Sequence, residues 1–178
     1  MLSLAALFAL AGTLFAHATP PQTADALFTR AKAEAQHEHK DILLVFSASW
    51  CGPCKLYERY LEDPTMKPII EKAFVIERID VGERASDLKH ANTPGGTDLR
   101  SALGATSEPG FPFLVITDEK GKPIINSCRN GDTSGNVGYP ALLEEIDWYV
   151  EMFKRATPSL SPEDLAATRT WLKKHSPH

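Results

Sequence analysis

The sequence predicts an α/β domain of three layers, a mixed β-sheet flanked by helices, with one extra helix at the C-terminal end. Three observations carry that expectation. ILLVFS (42–47) is a continuous apolar run of the length expected for a strand buried on both faces. It is separated by helical patterns from a second β-rich run, FVIERIDV (74–81), which is the signature of a parallel β-α-β unit. FLVITD (113–118) and PIINSC (123–128) then flank Glu119-Lys120-Gly121-Lys122, a turn sequence that reads as an antiparallel hairpin.

The helices follow in order. DALFTRAKAEAQHEHK (25–40) is Ala-rich, with Leu27, Ala31 and Ala35 expected on one stripe. CKLYERYLE (54–62) is helical until Asp63-Pro64, where proline disfavours helix in the preceding residue. MKPIIEKAF (66–74) resumes as a short helix. Residues 82–109 are mostly polar and contain Asn92-Thr93-Pro94-Gly95-Gly96, a strong turn signal, with a short helix expected at 97–103. After a Gly-rich loop at 130–138, PALLEEIDWYVEMFKR (140–155) is amphipathic, with Leu142, Ile146, Tyr149, Val150 and Phe153 on one face. Ser161-Pro162-Glu163-Asp164 opens the last helix with serine at N-cap, proline at N1 and acids in the first turn, and Leu165, Trp171 and Leu172 would dock it.

Composition narrows the function. The chain of 178 residues is 43% hydrophobic and 24% charged, an ordinary globular balance. A net charge of −4 with scattered basic residues gives no footprint for nucleic acid or for an anionic membrane surface. Three cysteines are too few for a disulfide-stapled scaffold, so they are better read as chemistry.

That chemistry centres on SASWCGPCK (47–55), directly after the first strand. Two cysteines three apart fit a redox couple, half a metal site or a buried accident. Zinc needs four ligands, and no second CxxC or H-x₃-H partner exists. Haem attachment needs His after the second cysteine, where Lys55 stands. Cys128 ends a strand candidate and reads as a buried small hydrophobe. His37 and His39 read as solvated, and His90 falls in the polar 82–109 segment.

Trp50-Cys51-Gly52-Pro53-Cys54-Lys55 resembles the active-site motif of the thioredoxin family, and Gly110-Phe111-Pro112 resembles that family's cis-proline segment. Together with the order of elements, the resemblance spans about residues 24–155 and is nearest the exported branch that includes the C-terminal domain of the membrane disulfide reductase. It implies a thioredoxin-like fold and dithiol–disulfide exchange on protein substrates. Cys51 would be the exposed nucleophile and Cys54 the resolving thiol. Placement at a helix N-terminus favours the Cys51 thiolate. Pro53 would stiffen the loop and Trp50 would pack as a lid, a plain core position being the alternative. Phe111 and Pro112 would border the substrate strand. The redox-active disulfide would be the only prosthetic element, with no metal and no other cofactor.

The support around the motif differs from the family pattern. The family's buried Asp, six positions ahead of the first cysteine, is Val45, and the aromatic four ahead is Ser47. The link from Asp80 to Pro112 is also long and is expected to emerge near the active-site face. The Gly-Pro between the cysteines resembles reducing members; thioredoxin itself sits near about −270 mV, against about −120 mV for a strong oxidant of the superfamily. The expected activity is therefore protein-disulfide reductase. The alternatives are a non-catalytic binding or chaperone-like module and a dedicated reductant for cytochrome c maturation.

Residues 1–18, MLSLAALFALAGTLFAHA, read as a signal peptide ending in Ala16-His17-Ala18, with an uncleaved anchor as the alternative. The expected organisation is this signal, a thioredoxin-like domain over 19–158 with an insertion at 82–109, and a helical extension over 159–178. Export to the periplasm or beyond, a monomeric state and an electron donor such as a membrane disulfide reductase complete the expectation.

Overall fold

The computed structural model describes residues 22–105, 108–129 and 135–177, so the expected signal peptide lies outside the described residues. The elements are α1 (Ala24–Glu38), β1 (Asp41–Ser47), α2 (Gly52–Glu62), α3 (Lys67–Ala73), β2 (Phe74–Asp80), α4 (Gly96–Ala102), β3 (Phe113–Thr117), β4 (Pro123–Asn126), α5 (Leu143–Ala156) and α6 (Pro162–His175). The four strands form one mixed sheet in the order β2-β1-β3-β4. β1 runs parallel to β2 and antiparallel to β3, and β3 and β4 form the expected hairpin. Among the described residues, no helix is long and apolar enough to cross a membrane.

β1 explains the layering. Successive side chains along a strand point to opposite faces. Ile42, Leu44 and Phe46 join Val75, Ile79, Phe113 and Val115 under α1, where Ala24, Phe28, Ala31 and Ala35 close the layer. Leu43 and Val45 join Leu114 and Ile116 on the other face, beneath α2, α3, α5 and α6. A strand buried on both faces has no reason to alternate in polarity.

Several sequence expectations shift by a few residues. The inner stripe of α1 runs through Phe28 rather than Leu27, which is only half-buried. β4 stops at Asn126, because the Asn126 side chain accepts the Cys128 N–H and turns the chain. α5 begins at Leu143 rather than Pro140. Glu145 reaches back to accept the N–H groups of Ala141 and Leu142, so Leu142 becomes an exposed flanking residue, and Met152 takes an inner place. α6 starts as expected, with Ser161 capping Asp164 N–H and Asp164 accepting from Ser161 N–H. Leu172 is fully buried, while Leu165 and Trp171 pack at the edge.

The back of α2 meets α5 through three buried tyrosines. The Tyr57 and Tyr149 hydroxyls share a 2.7 Å hydrogen bond, and Tyr60 packs edge-on against Tyr149. Burial pushes all three phenols well above their ordinary titration range, so they remain neutral donors and acceptors.

Asp41, half-buried at the start of β1, behaves differently. Burial first, and then the nearby Glu119, push its carboxyl up to about 6, against a partial offset from Thr157. An unfolded Asp titrates near about 3.9, so the folded state holds the extra proton between those values. Stability therefore falls as pH rises from about 4 to about 6, and the penalty persists above that window. Asp41→Asn is expected to stabilise the protein at pH 7 by about 1 kcal/mol, a figure reduced for solvent screening at this partly exposed site. The gain should vanish below about pH 4, as read by urea unfolding at both pH values.

Candidate active site

The parallel register sets Ser47, the last residue of β1, opposite Asp80, the last of β2. The two following loops, 48–51 and 81–84, therefore leave the sheet side by side. Ser47 Oγ donates to Asp80 Oδ1 at 2.6 Å, and the N–H groups of Val81 and Gly82 both point at Ser47 O. The first loop closes into α2 through a turn in which Cys51 N–H donates to Ala48 O at 3.0 Å.

Cys51 is the N-cap of α2, and its Sγ accepts the Cys54 N–H at 3.1 Å. This is the position where unpaired backbone donors and the helix dipole favour negative charge. Gly52 and Pro53 occupy the exposed first turn, and proline there forfeits only a donor that has no helical partner. Cys51 and Cys54 are joined in a disulfide with Cα atoms 5.2 Å apart. Lys55 is exposed on the same turn.

Cys51 is not exposed as expected: both cysteines are only 3% accessible. The cause is a small apolar cluster of Ala48, Cys51 and Cys54, against which Phe111 packs. Phe111 precedes Pro112, and the bond between them is cis. The segment is held from behind by Asn136, whose Nδ2 donates to Pro112 O at 3.1 Å and whose Oδ1 accepts from Ser127 Oγ at 2.6 Å. Arg100 lies buried on α4, its guanidinium 5.6 Å from the Phe111 ring centre and paired with Glu108 at 2.8 Å.

Trp50 is neither a core residue nor a closed lid. It is 45% exposed at the rim, edge-on to Phe111 at 6.3 Å, with Nε1 donating to Gly82 O at 2.7 Å and Arg84 over its ring at 4.7 Å. Val45 sits in the apolar core beneath α2, opposite Leu114.

The 82–109 segment divides in two. Within its second half, α4 packs into the α1 layer: Leu99 and Leu103 join that core, and Ala24 N–H donates to Pro94 O. Its first half is a strap over the motif. Glu83, only 9% exposed, accepts from both Ser49 N–H and Ser49 Oγ. Asn92 holds Glu83 from behind, its Oδ1 accepting Glu83 N–H at 2.7 Å. Farther along, the Lys89 N–H, followed by His90, holds the Asp87 carboxyl below its usual range. Glu83, Asp87 and His90 bring one ligand atom each within 4.8 Å of one another. Ser49 already engages Glu83, and His90 Nδ1 pairs with Asp87 at 2.8 Å, so hydrogen bonds account for this cluster without an ion.

Ser49, Gly82, Glu83, Arg100 and Asn136 were not singled out by the sequence. One signal was available for Gly82 and Glu83: residues just beyond the C-terminal ends of two adjacent parallel strands must share a crevice. Arg100 and Asn136 carry no comparable local signal.

A mixed sheet with helices on both faces, bearing a CxxC disulfide at a helix N-terminus beside a cis-proline, defines a thioredoxin-like protein. The chain belongs to the thioredoxin-like family, whose family model matches residues 23–119. It is 29% identical over 98 residues to the thiol:disulfide interchange protein DsbD of Photorhabdus laumondii, covering 54% of this chain and 15% of that protein. The Vibrio cholerae protein of the same name is 29% identical over 101 residues, covering 57% of this chain and 15% of its own length. The match thus spans a small part of those relatives. The disulphide isomerase of Xylella fastidiosa Temecula1 superposes with a TM-score of 0.51 at 24% identity, covering 82% of this chain and 99% of that one, a likeness of fold.

Gly82 sets the seat of Phe111. A Cβ there would lie 2.7 Å from Phe111 Cζ and 2.9 Å from Ala48 Cβ, so one of them must move. Gly82→Ala is expected to destabilise the protein by about 1–3 kcal/mol, the usual cost of overpacking. It should also speed alkylation of the reduced Cys51, because Phe111 is the ring that gives way.

Proposed function

We propose that the protein is a protein-disulfide reductase of the cell envelope, acting as a monomer through the Cys51–Cys54 dithiol. The observation that carries this reading is the disulfide at the N-terminus of α2, with Phe111-Pro112 across from it. In the reduced protein, the Cys51 thiolate attacks one sulfur of a substrate disulfide. The other substrate sulfur leaves as a thiolate and takes up a proton. Cys54, deprotonated, then attacks Cys51 Sγ, releasing the second substrate thiol and forming Cys51–Cys54. Two electrons have passed to the substrate, and a dithiol donor must return them, a membrane disulfide reductase being the class we favour.

The helix N-terminus supports Cys51 as the attacking sulfur, since Cys54 N–H already donates to its Sγ. Cys54, one helical turn on and disulfide-bonded to Cys51, suits the resolving step. Burial of Cys51 means that substrate must displace Phe111 or approach along the Trp50 rim. Pro112 precedes the N-terminal end of β3, next to the C-terminal end of β1, and an extended substrate segment would lie along the backbone there. Envelope placement rests on the signal-like residues 1–18 and on the similarity to DsbD.

Insulin reduction by dithiothreitol is expected to accelerate with the protein and to fall to the uncatalysed rate with Cys51→Ser. Cys54→Ala should trap substrates as mixed disulfides, releasable by excess thiol, from an envelope extract. Absence of acceleration by the folded wild-type protein overturns the enzymatic reading in favour of a binding module.

A further inference from the structure

The buried carboxylate of Glu83 is not used in the exchange steps above, although it lies against the residues leading into Cys51. Both its oxygens are taken by a single residue, Ser49, through the backbone N–H and the hydroxyl. The strap that carries it is fixed on three sides. Asn92 accepts its N–H, Gly82 N–H bonds to Ser47 O, and Trp50 Nε1 bonds to Gly82 O. Among the described residues no lysine or arginine forms an ion pair with it. A carboxylate 9% exposed and without a cation is costly to bury, so its charge acts on its surroundings with little screening.

We propose that Glu83 is a positioning residue for the Cys51–Cys54 couple, clamping the Ser49 turn and setting a fixed negative charge beside Cys51 that biases the couple toward reducing power. The inference rests on the reductase reading above. A like charge nearby disfavours the thiolate of the reduced form, in opposition to the α2 N-terminus. A reduced form that is less stabilised gives up its electrons more readily, which lowers the reduction potential. Other charged groups facing this corner act at one remove. Arg84 lies over Trp50 and Arg100 over Phe111, while Asp80 bonds Ser47. Asp87 and His90 pair with each other, and Lys55 is exposed. Among the described charged residues, Glu83 alone is both buried and bonded to the motif's own turn.

The test compares the wild-type chain with Glu83→Gln, which keeps groups able to bond Ser49 but carries no charge. The reads are equilibrium with glutathione and the thiolate absorbance of Cys51 across pH. Removal of the charge is expected to shift the equilibrium about tenfold toward the reduced protein, about 30 mV, and to move the thiolate titration to lower pH. Ser49→Ala, which keeps the charge and loses one bond, should shift the equilibrium much less. Should Glu83→Gln fail to fold, Glu83→Met repeats the charge removal with an apolar side chain of similar volume, and the same sign is expected. A folded charge-free variant with wild-type potential and wild-type titration overturns the proposal. So does Ser49→Ala shifting the equilibrium as far as Glu83→Gln. The potential is read on the cysteine couple itself, so it is measurable even if insulin reduction fails. That failure would overturn the reductase reading separately.

Discussion

The parallel register of β1 on β2 is the constraint on which the rest of the site depends. Because Ser47 ends opposite Asp80, the chain leaving each strand has only the other for a neighbour on that side of the sheet. The loop after β1 must turn at once into α2, and the loop after β2 must cross in front of it. Two backbone donors on Ser47 O and one side-chain bond between Ser47 and Asp80 fasten that crossing. Serine at this position, where an aromatic ring would have filled space, supplies a hydroxyl that ties the strand ends together. The antiparallel partner β3 then brings Phe111-Pro112 to the same corner, since it enters the sheet where β1 leaves it.

Three influences of different sign meet at Cys51. The N-terminus of α2 favours negative charge on the sulfur, as the Cys54 N–H bond shows. Burial under Phe111 disfavours it, and so does any carboxylate held close by. None of the three comes from a charged residue within the CxxC motif itself. The balance is set by the capping geometry, by one aromatic ring and by the strap, and each of these belongs to a different segment of the chain. A motif shared with other thioredoxin-like proteins is thereby open to retuning without any change to its own residues.

Most of the fold was legible because it is written in local periodicity. The strands at 42–47 and 113–118 are apolar runs of strand length, and Ser161-Pro162-Glu163-Asp164 spells a helix start; all three stand where the sequence put them. The misses are cases where one distant or opposing contact outweighs the pattern. Leu142 has the spacing of an inner residue, yet Glu145 folds back on its N–H and leaves it in solvent. Cys51 has the spacing of an exposed nucleophile, yet Phe111, sixty positions later, covers it. Of the site, the sequence disclosed the motif, the cis-proline segment and the general place of the long link. It could not disclose that Glu83 bonds Ser49, because that pairing depends on the register of two strands and on the path of a polar loop.

The rigid side of α2 explains why such retuning is tolerable. Behind the cysteines, Tyr57 and Tyr60 lock the helix onto Tyr149 of α5, and Tyr60 also packs on Trp171 of α6 at 5.1 Å. These rings bury large apolar areas, and the Tyr57–Tyr149 bond would leave a buried hydroxyl unpaired if either partner were lost, at a cost of about 1–3 kcal/mol. The helix therefore holds Cys54 and its own first turn in place whatever happens in front of it. The strap in front is held largely by separate hydrogen bonds, neutral ones each worth about 0.5–1.5 kcal/mol, so losing one of those costs less than losing a packed ring behind. Val45 belongs to the rigid side, its side chain part of the buried cluster beneath α2. A buried carboxylate in that position would have to be desolvated beneath the tyrosine-backed helix. On the strap, the buried carboxylate of Glu83 is met by the N–H and hydroxyl of Ser49. The acidic group nearest the motif's turn is thus placed at the front of the site, outside the tyrosine-backed core.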